Sequence, residues 1–149
     1  SVSGLYRPDG KPMPNGLIIR KLDADDIQEA APMYPGFDNP DYIVDRIEAG
    51  AVYGAFLSDN TADDTINTLA GIIGIHEEGS IGMLYVKLQY RHQKLATALE
   101  TYAFNRALEN GWIPYGQIIV GNEASMKLQE SMGLHFSKSS VYWMTKNNA

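Results

Sequence analysis

Val86-Lys87-Leu88-Gln89-Tyr90-Arg91-His92-Gln93-Lys94-Leu95-Ala96-Thr97-Ala98-Leu99 is the stretch on which the fold turns. An apolar strand pattern over Ile81–Val86 runs into a short polar turn, and that turn opens onto a long helical pattern. A strand-turn-helix leaves several backbone N–H groups without partners at the helix start, with the positive end of the helix dipole behind them. Such a start suits phosphate or another anion. Between Gly79 and Leu99 stand Lys87, Arg91 and Lys94, with no Asp or Glu. The whole chain carries a formal net charge of −6, so the local reversal of sign points to an anionic ligand. A βα turn that simply faces water carries similar residues, and the turn alone leaves both readings open.

The 149 residues suit one domain with a single substantial core. An apolar fraction of 44% and a charged fraction of 20% are those of an ordinary globular protein. The acidic balance argues against nucleic acid or an anionic membrane surface as a general partner, because both need a basic face. There is no cysteine. That excludes disulfides, thiolate metal sites and a cysteine nucleophile, and it fits a cytoplasmic compartment. No metal site is expected. The longest apolar run, residues 69–75, is broken by Gly71 and Gly74. It falls far short of the ~20 residues of a membrane helix. No signal-peptide pattern is read at the start.

Outward from the central stretch, residues 1–16 read as an irregular arm rich in Pro and Gly, and residues 17–149 as one domain. Residues 17–22 form a strand pattern. Asp23 caps a short helix ending before Pro32, and Asn39-Pro40-Asp41 starts a second helix that runs to Gly50. Strands follow over residues 51–58 and 68–76, separated by a polar loop at 59–64. Glu77-Glu78-Gly79-Ser80 turns the second of these into the strand that begins at Ile81. The long helix spans about residues 93–110, with Leu95, Leu99, Tyr102 and Ala103 as its stripe and Gly111 as its stop. Residues 115–120 are nearly all apolar, which predicts a central strand covered on both faces. Asn122 caps another helix, which ends at Gly133, and residues 141–144 form a last strand. A further short strand fits residues 134–136. The fold class is α/β, an α+β mixed sheet in the order β-α-α-β-β-β-α-β-α-β with helices on both faces.

Two elements in this order resemble the GNAT superfamily of acyl-CoA-dependent N-acyltransferases. The family's pyrophosphate loop is Arg or Gln, two residues, Gly, one residue, then Gly or Ala, and Arg91-His92-Gln93-Lys94-Leu95-Ala96 falls on it. The second element is Asn, a helix, then Gly and an apolar residue. Asn122-Glu123-Ala124-Ser125 opens it and Met132-Gly133-Leu134 closes it. Spacing, element order and length agree over residues 17–144. Pro114-Tyr115 and Asn122-Glu123-Ala124-Ser125 look most like the branch that includes glycine N-acyltransferase.

The resemblance implies a GNAT-like fold whose Ile81–Val86 strand and 115–120 strand splay apart. The pantetheine arm would lie in the gap against Leu84, Tyr85 and Val86. Arg91, His92, Gln93, Lys94, Leu95, Ala96 and Thr97 would hold the pyrophosphate, and Asn122 and Ser125 would sit beside the arm. Asn122 reads equally well as a plain helix N-cap, and the two roles are compatible. Two departures stand out. Lys94 takes the place of the first loop glycine, and Gln129 stands where many members carry a tyrosine general acid. Glutamine cannot serve as an acid.

The implied reaction moves an acetyl or short acyl group from CoA to a primary amine of a small molecule or amino acid. Transfer is direct, so no covalent protein intermediate is needed. Acetyl-CoA or another acyl-CoA is the co-substrate, and the protein is a monomer or homodimer. The amine must shed a proton and the thioester oxygen must be stabilised. Glu77, Glu78 and His76 are base candidates, although a glutamate pair in a hairpin is also read as a solvated turn. Tyr85 and Tyr142 are candidate proton donors, and packing explains tyrosines equally well. The alternative is a CoA-binding module, a sensor or structural partner with little turnover.

Overall fold

The computed structural model describes residues 16–34, 39, 41–58, 67–118, 120–138 and 140. The 1–16 arm apart from Gly16, the 59–64 loop, Pro40, the last strand at 141–144 and Tyr142 within it lie outside the described residues.

Four strands form one sheet in the order β1 (Leu17–Lys21), β2 (Val52–Ser58), β3 (Asn67–Ile75) and β4 (Ile81–Val86). Each pairs antiparallel with the next. The continuous apolar run of β3 follows from burial on both faces, since alternate residues point opposite ways. Leu69 and Ile72 pack on one side, Ala70 and Ile73 on the other, the odd spacing being made possible by an irregularity in the β2–β3 register that leaves Ala70 as an extra residue.

The first side is covered by α1 (Ile27–Ala30) and α2 (Tyr42–Glu48). Leu22, Met33, Ile43 and Ile47 join Leu69, Ile72 and Met83 there. Asp23 caps the turn before α1, accepting from the Asp25 N–H at 3.0 Å while Asp26 accepts from the Asp23 N–H at 2.9 Å. The second side is covered by α3 (Leu95–Glu109), whose Leu95, Leu99, Ala103 and Phe104 pack on Ala70, Ile73 and Val86. A last helix, α4 (Glu123–Ser131), adjoins α3 and is anchored by Met132, which is fully buried.

Two expectations change. Residues 115–120 do not form a covered strand among the described residues. One parallel bridge joins Gly116 to Ile81, with the Ile81 N–H donating to the Tyr115 carbonyl at 2.7 Å. Ile113 and Val120 are 87% and 85% exposed. An apolar run shows that burial is affordable and does not supply the neighbouring strand that would provide it. Residues 134–136 are irregular rather than extended in a sheet.

β4 also carries a feature that no residue pattern announced. Ile72 pairs with Tyr85 and Gly74 with Gly82, so Met83 and Leu84 together face the single residue Ile73. This is a β-bulge, with Met83 at φ 52°. A left-handed methionine is uncommon and costs energy, and such residues concentrate at functional sites.

Candidate acyl-CoA groove

At the C-terminal end of β4 the chain leaves the sheet, makes one 3-10 turn at Leu88–Tyr90, and enters α3. The first turn of α4 comes alongside. Between them lies a groove of about 690 Å³, open to solvent. Its strand wall is Leu84, Tyr85 and Val86. Its loop wall is Tyr90, Arg91, His92 and Lys94, and Leu95 and Ala96 continue that wall into α3. Asn122, Ala124, Ser125 and Leu128 of the α4 region complete it. Ten of the twelve sequence-derived binding candidates line this groove; Gln93 and Thr97 do not.

The local conformation explains why the groove faces anions. His92 and Lys94 have φ of 65° and 62°. Two left-handed residues within three positions bend the loop sharply ahead of the helix start, where backbone N–H groups can face an anion. Lys94 is the N-cap of α3 and gives it no side-chain cap, so the helix-start N–H groups keep their capacity for a ligand. Lys94 thus holds a left-handed backbone, a conformation that glycine adopts at no steric cost. Arg91 is fixed in place: its Nε donates to the Val86 carbonyl at 3.0 Å, and its guanidinium lies 5.7 Å from the Tyr85 ring centre. Asn122 does act as an N-cap, accepting from the Ser125 N–H at 3.1 Å, and it lines the groove as well.

The remaining catalytic candidates separate. Tyr85 lines the groove. Glu77 and Glu78 belong to the β3–β4 hairpin at the opposite end of β4, about 16 Å of strand away at the usual rise per residue. That hairpin is tied into its own network. The Ser80 hydroxyl donates to the Glu78 carboxylate, and the Tyr115 hydroxyl donates to the Glu78 carbonyl at 2.7 Å. Burial pushes the Glu78 carboxyl up, but the Ser80 hydrogen bond, its own backbone N–H and nearby His76 and Arg46 outweigh that and hold it below the ordinary 4.5. His76 Nδ1 and the Tyr42 hydroxyl are 2.8 Å apart, and the two rings stack. Arg46 donates twice to the Ile75 carbonyl, at 3.0 and 2.8 Å. Sequence proximity to the strand placed these residues near the groove; strand direction carries them away from it.

One buried polar residue was not anticipated. Glu100 of α3 is only 5% exposed and accepts from Gln129 Nε2 at 2.7 Å. Burial raises its carboxyl above the ordinary 4.5, against a smaller lowering by Gln129. The signal was present in the sequence: Glu100 follows Ala96 and precedes Phe104 at the spacing of one helix face.

Among the described residues, no group of three or more His, Cys, Asp and Glu side chains could hold a metal, and no helix is long and apolar enough to cross a membrane.

No family model and no curated protein matches the chain. Solved structures do. A Drosophila protein superposes with TM-score 0.69 at 20% identity, over 83% of this chain and 40% of its own, so the present chain spans less than half of that relative. The ribosomal-protein-alanine N-acetyltransferase of Brucella melitensis biovar Abortus 2308 gives TM-score 0.63 at 21% identity, over 88% of this chain and 99% of its own. AAC(6')-Iy, in complex with the bisubstrate analog CoA-S-monomethyl-acetylneamine, gives 0.62 at 13% identity, over 88% and 99%. At these identities the likeness is one of fold: the chain has the α+β fold of the GNAT acetyltransferases, built here on a four-stranded antiparallel sheet.

Proposed function

We propose that the chain is an acyl-CoA-dependent N-acyltransferase that moves an acetyl or short acyl group to a primary amine of a small molecule or amino acid. The observation that carries this is the convergence of the first turns of α3 and α4, with Arg91 and Lys94, on one groove beside the β4 bulge. The groove fits CoA in kind. A basic, N–H-rich end suits the pyrophosphate, and the Leu84-to-Val86 wall offers strand backbone to a pantetheine amide.

Bound acyl-CoA supplies the thioester. The chain supplies alignment, which contributes several kcal/mol to such reactions. The β4 ladder is interrupted at the bulge, which supports a backbone N–H of that stretch as the group that stabilises charge on the thioester oxygen. The Tyr85 hydroxyl is the groove's candidate for returning a proton to the leaving thiolate. Glu77 and Glu78, at the far end of β4, would act on the amine only through water. Pro114-Tyr115 and the Asn122 element support placement near the glycine N-acyltransferase branch. The lack of cysteine supports a cytoplasmic setting.

A second reading rests on Gln129. Its amide is engaged with Glu100 and cannot act as an acid, which favours a CoA-binding module without turnover. Thiol release from acetyl-CoA across a panel of small amines and amino acids separates the two. Amine-dependent release establishes the transferase; CoA binding with no release above the uncatalysed rate establishes the module.

A further inference from the structure

Glu100 stands among the buried residues of α3, with Leu99, Ala103 and Phe104 as close companions. Its Oε1 accepts the Gln129 amide at 2.7 Å, and its Oε2 is fully buried without a hydrogen-bond partner among the described residues. Burial disfavours the ionised carboxylate there, against a smaller favouring of it by Gln129. In the protonated acid Oε1 accepts from Gln129 and Oε2 carries the proton. That still leaves a buried donor unsatisfied, and an unsatisfied group in a folded chain calls for a reason.

Helix register supplies one. Glu100 lies one turn beyond Ala96 on the same face of α3, and Gln129 lies one turn beyond Ser125 on the same face of α4. Ala96 and Ser125 both line the groove. The Glu100–Gln129 bond therefore joins the two helices one turn behind the walls that they present to a ligand. No residue of α4 itself is fully buried; among the described residues this bond, the packing of Leu128 on the core and the burial of Met132 hold α4 in place.

We propose that Glu100 is a positioning residue: through Gln129 it sets the separation of α3 and α4, and so the width of the groove between their first turns. The inference rests on the reading of that groove as a CoA site. Its consequence is a dependence on protonation. Burial and Gln129 are the causes of the Glu100 shift, and no charged or titratable side chain of α3, α4 or the sheet contributes to it. Loss of the proton keeps the Gln129 bond, which favours the charged form, but leaves the burial of that charge to be relieved by water drawn to Oε2, and it is this hydration that shifts α4.

The test is CoA affinity, by calorimetry, for the parent, Glu100→Gln, Glu100→Leu and Gln129→Leu, from mildly acidic to mildly alkaline pH. Taking the ratio of parent to Glu100→Gln cancels every pH dependence the two share, that of the CoA phosphates included. The parent and Glu100→Gln should agree at acidic pH, and the parent should weaken relative to Glu100→Gln as pH rises. Glu100→Leu and Gln129→Leu should each bind about tenfold more weakly than the parent at acidic pH, the scale of one lost hydrogen bond. Their double variant should be no worse than either alone. A purely structural role would lower the melting temperature and leave these affinities and their ratio unchanged. That result overturns the proposal while CoA binding by the parent stands. If Glu100→Leu unfolds, Gln129→Leu on the outer helix decides the same point. A parent that does not bind CoA overturns both this inference and the reading beneath it.

Discussion

The Met83 side chain lies directly over Gly74, and a Cβ on Gly74 would collide with Met83 Cε. Gly74 therefore makes room for the bulge on the neighbouring strand. Gly71 does the same for the strand end, since a Cβ there would come within 2.8 Å of the Tyr85 carbonyl oxygen. The two glycines that interrupt the apolar run of β3 shape the β4 wall of the groove.

Gly71→Ala should therefore cost about 1–3 kcal/mol, the scale of an overpacked core, because its Cβ meets a backbone carbonyl rather than a flexible side-chain tip, and weaken CoA binding at the same time. Urea denaturation and a CoA titration check the two halves. Unchanged stability would mean that the β4 backbone at Tyr85 yields without cost, contrary to the geometry.

Lys94→Gly removes a left-handed side-chain conformation. The relief of about 1–2 kcal/mol exceeds the added freedom that glycine gives the unfolded chain, so stability should rise slightly. CoA affinity should fall, because a cation on the groove wall is lost. Thermal unfolding with and without CoA reads both. A variant both less stable and tighter-binding would reverse each half of the argument.

The Arg20–Asp26 pair gives a pH prediction. Two hydrogen bonds of 2.8 Å from Arg20 lower the Asp26 carboxyl below the ordinary 3.8, burial opposes this, and the Asp23 N–H adds to the lowering. A lowered carboxyl adds stability above its unfolded value and loses it as pH falls through the folded one. Asp26→Ala should cost about 1 kcal/mol at neutral pH, a half-exposed pair plus a cap being modest. The gap to the parent should close below pH 3.8. A gap that stays constant into acid would assign the cost to packing.

Much of this was legible beforehand. The Asp23 and Asn122 caps, the β3–β4 hairpin, the stop at Gly111 and the loop from Arg91 to Ala96 all rest on local chemistry, and local chemistry is written in consecutive residues. The bulge at Met83 was not legible, because it depends on the register between two strands. The direction of β4, which takes Glu77 and Glu78 away from the groove, is equally a matter of pairing. Glu100 was hidden by averaging: one acid in an apolar stripe reads as an exception until its partner on α4 is seen. Residues 115–120 show the reverse error, an apolar composition taken for burial.

Isothermal titration of CoA into the parent, Arg91→Ala and Lys21→Ala asks most directly whether the groove is a CoA site. Arg91 stands on the loop wall, whereas Lys21 ends the first strand, away from it. The parent should bind, with affinity falling as salt rises. Arg91→Ala should bind at least about tenfold more weakly, the scale of a lost charge-assisted hydrogen bond, and Lys21→Ala should match the parent. Equal affinities for the two variants, or no heat of binding at millimolar CoA, would contradict the assignment.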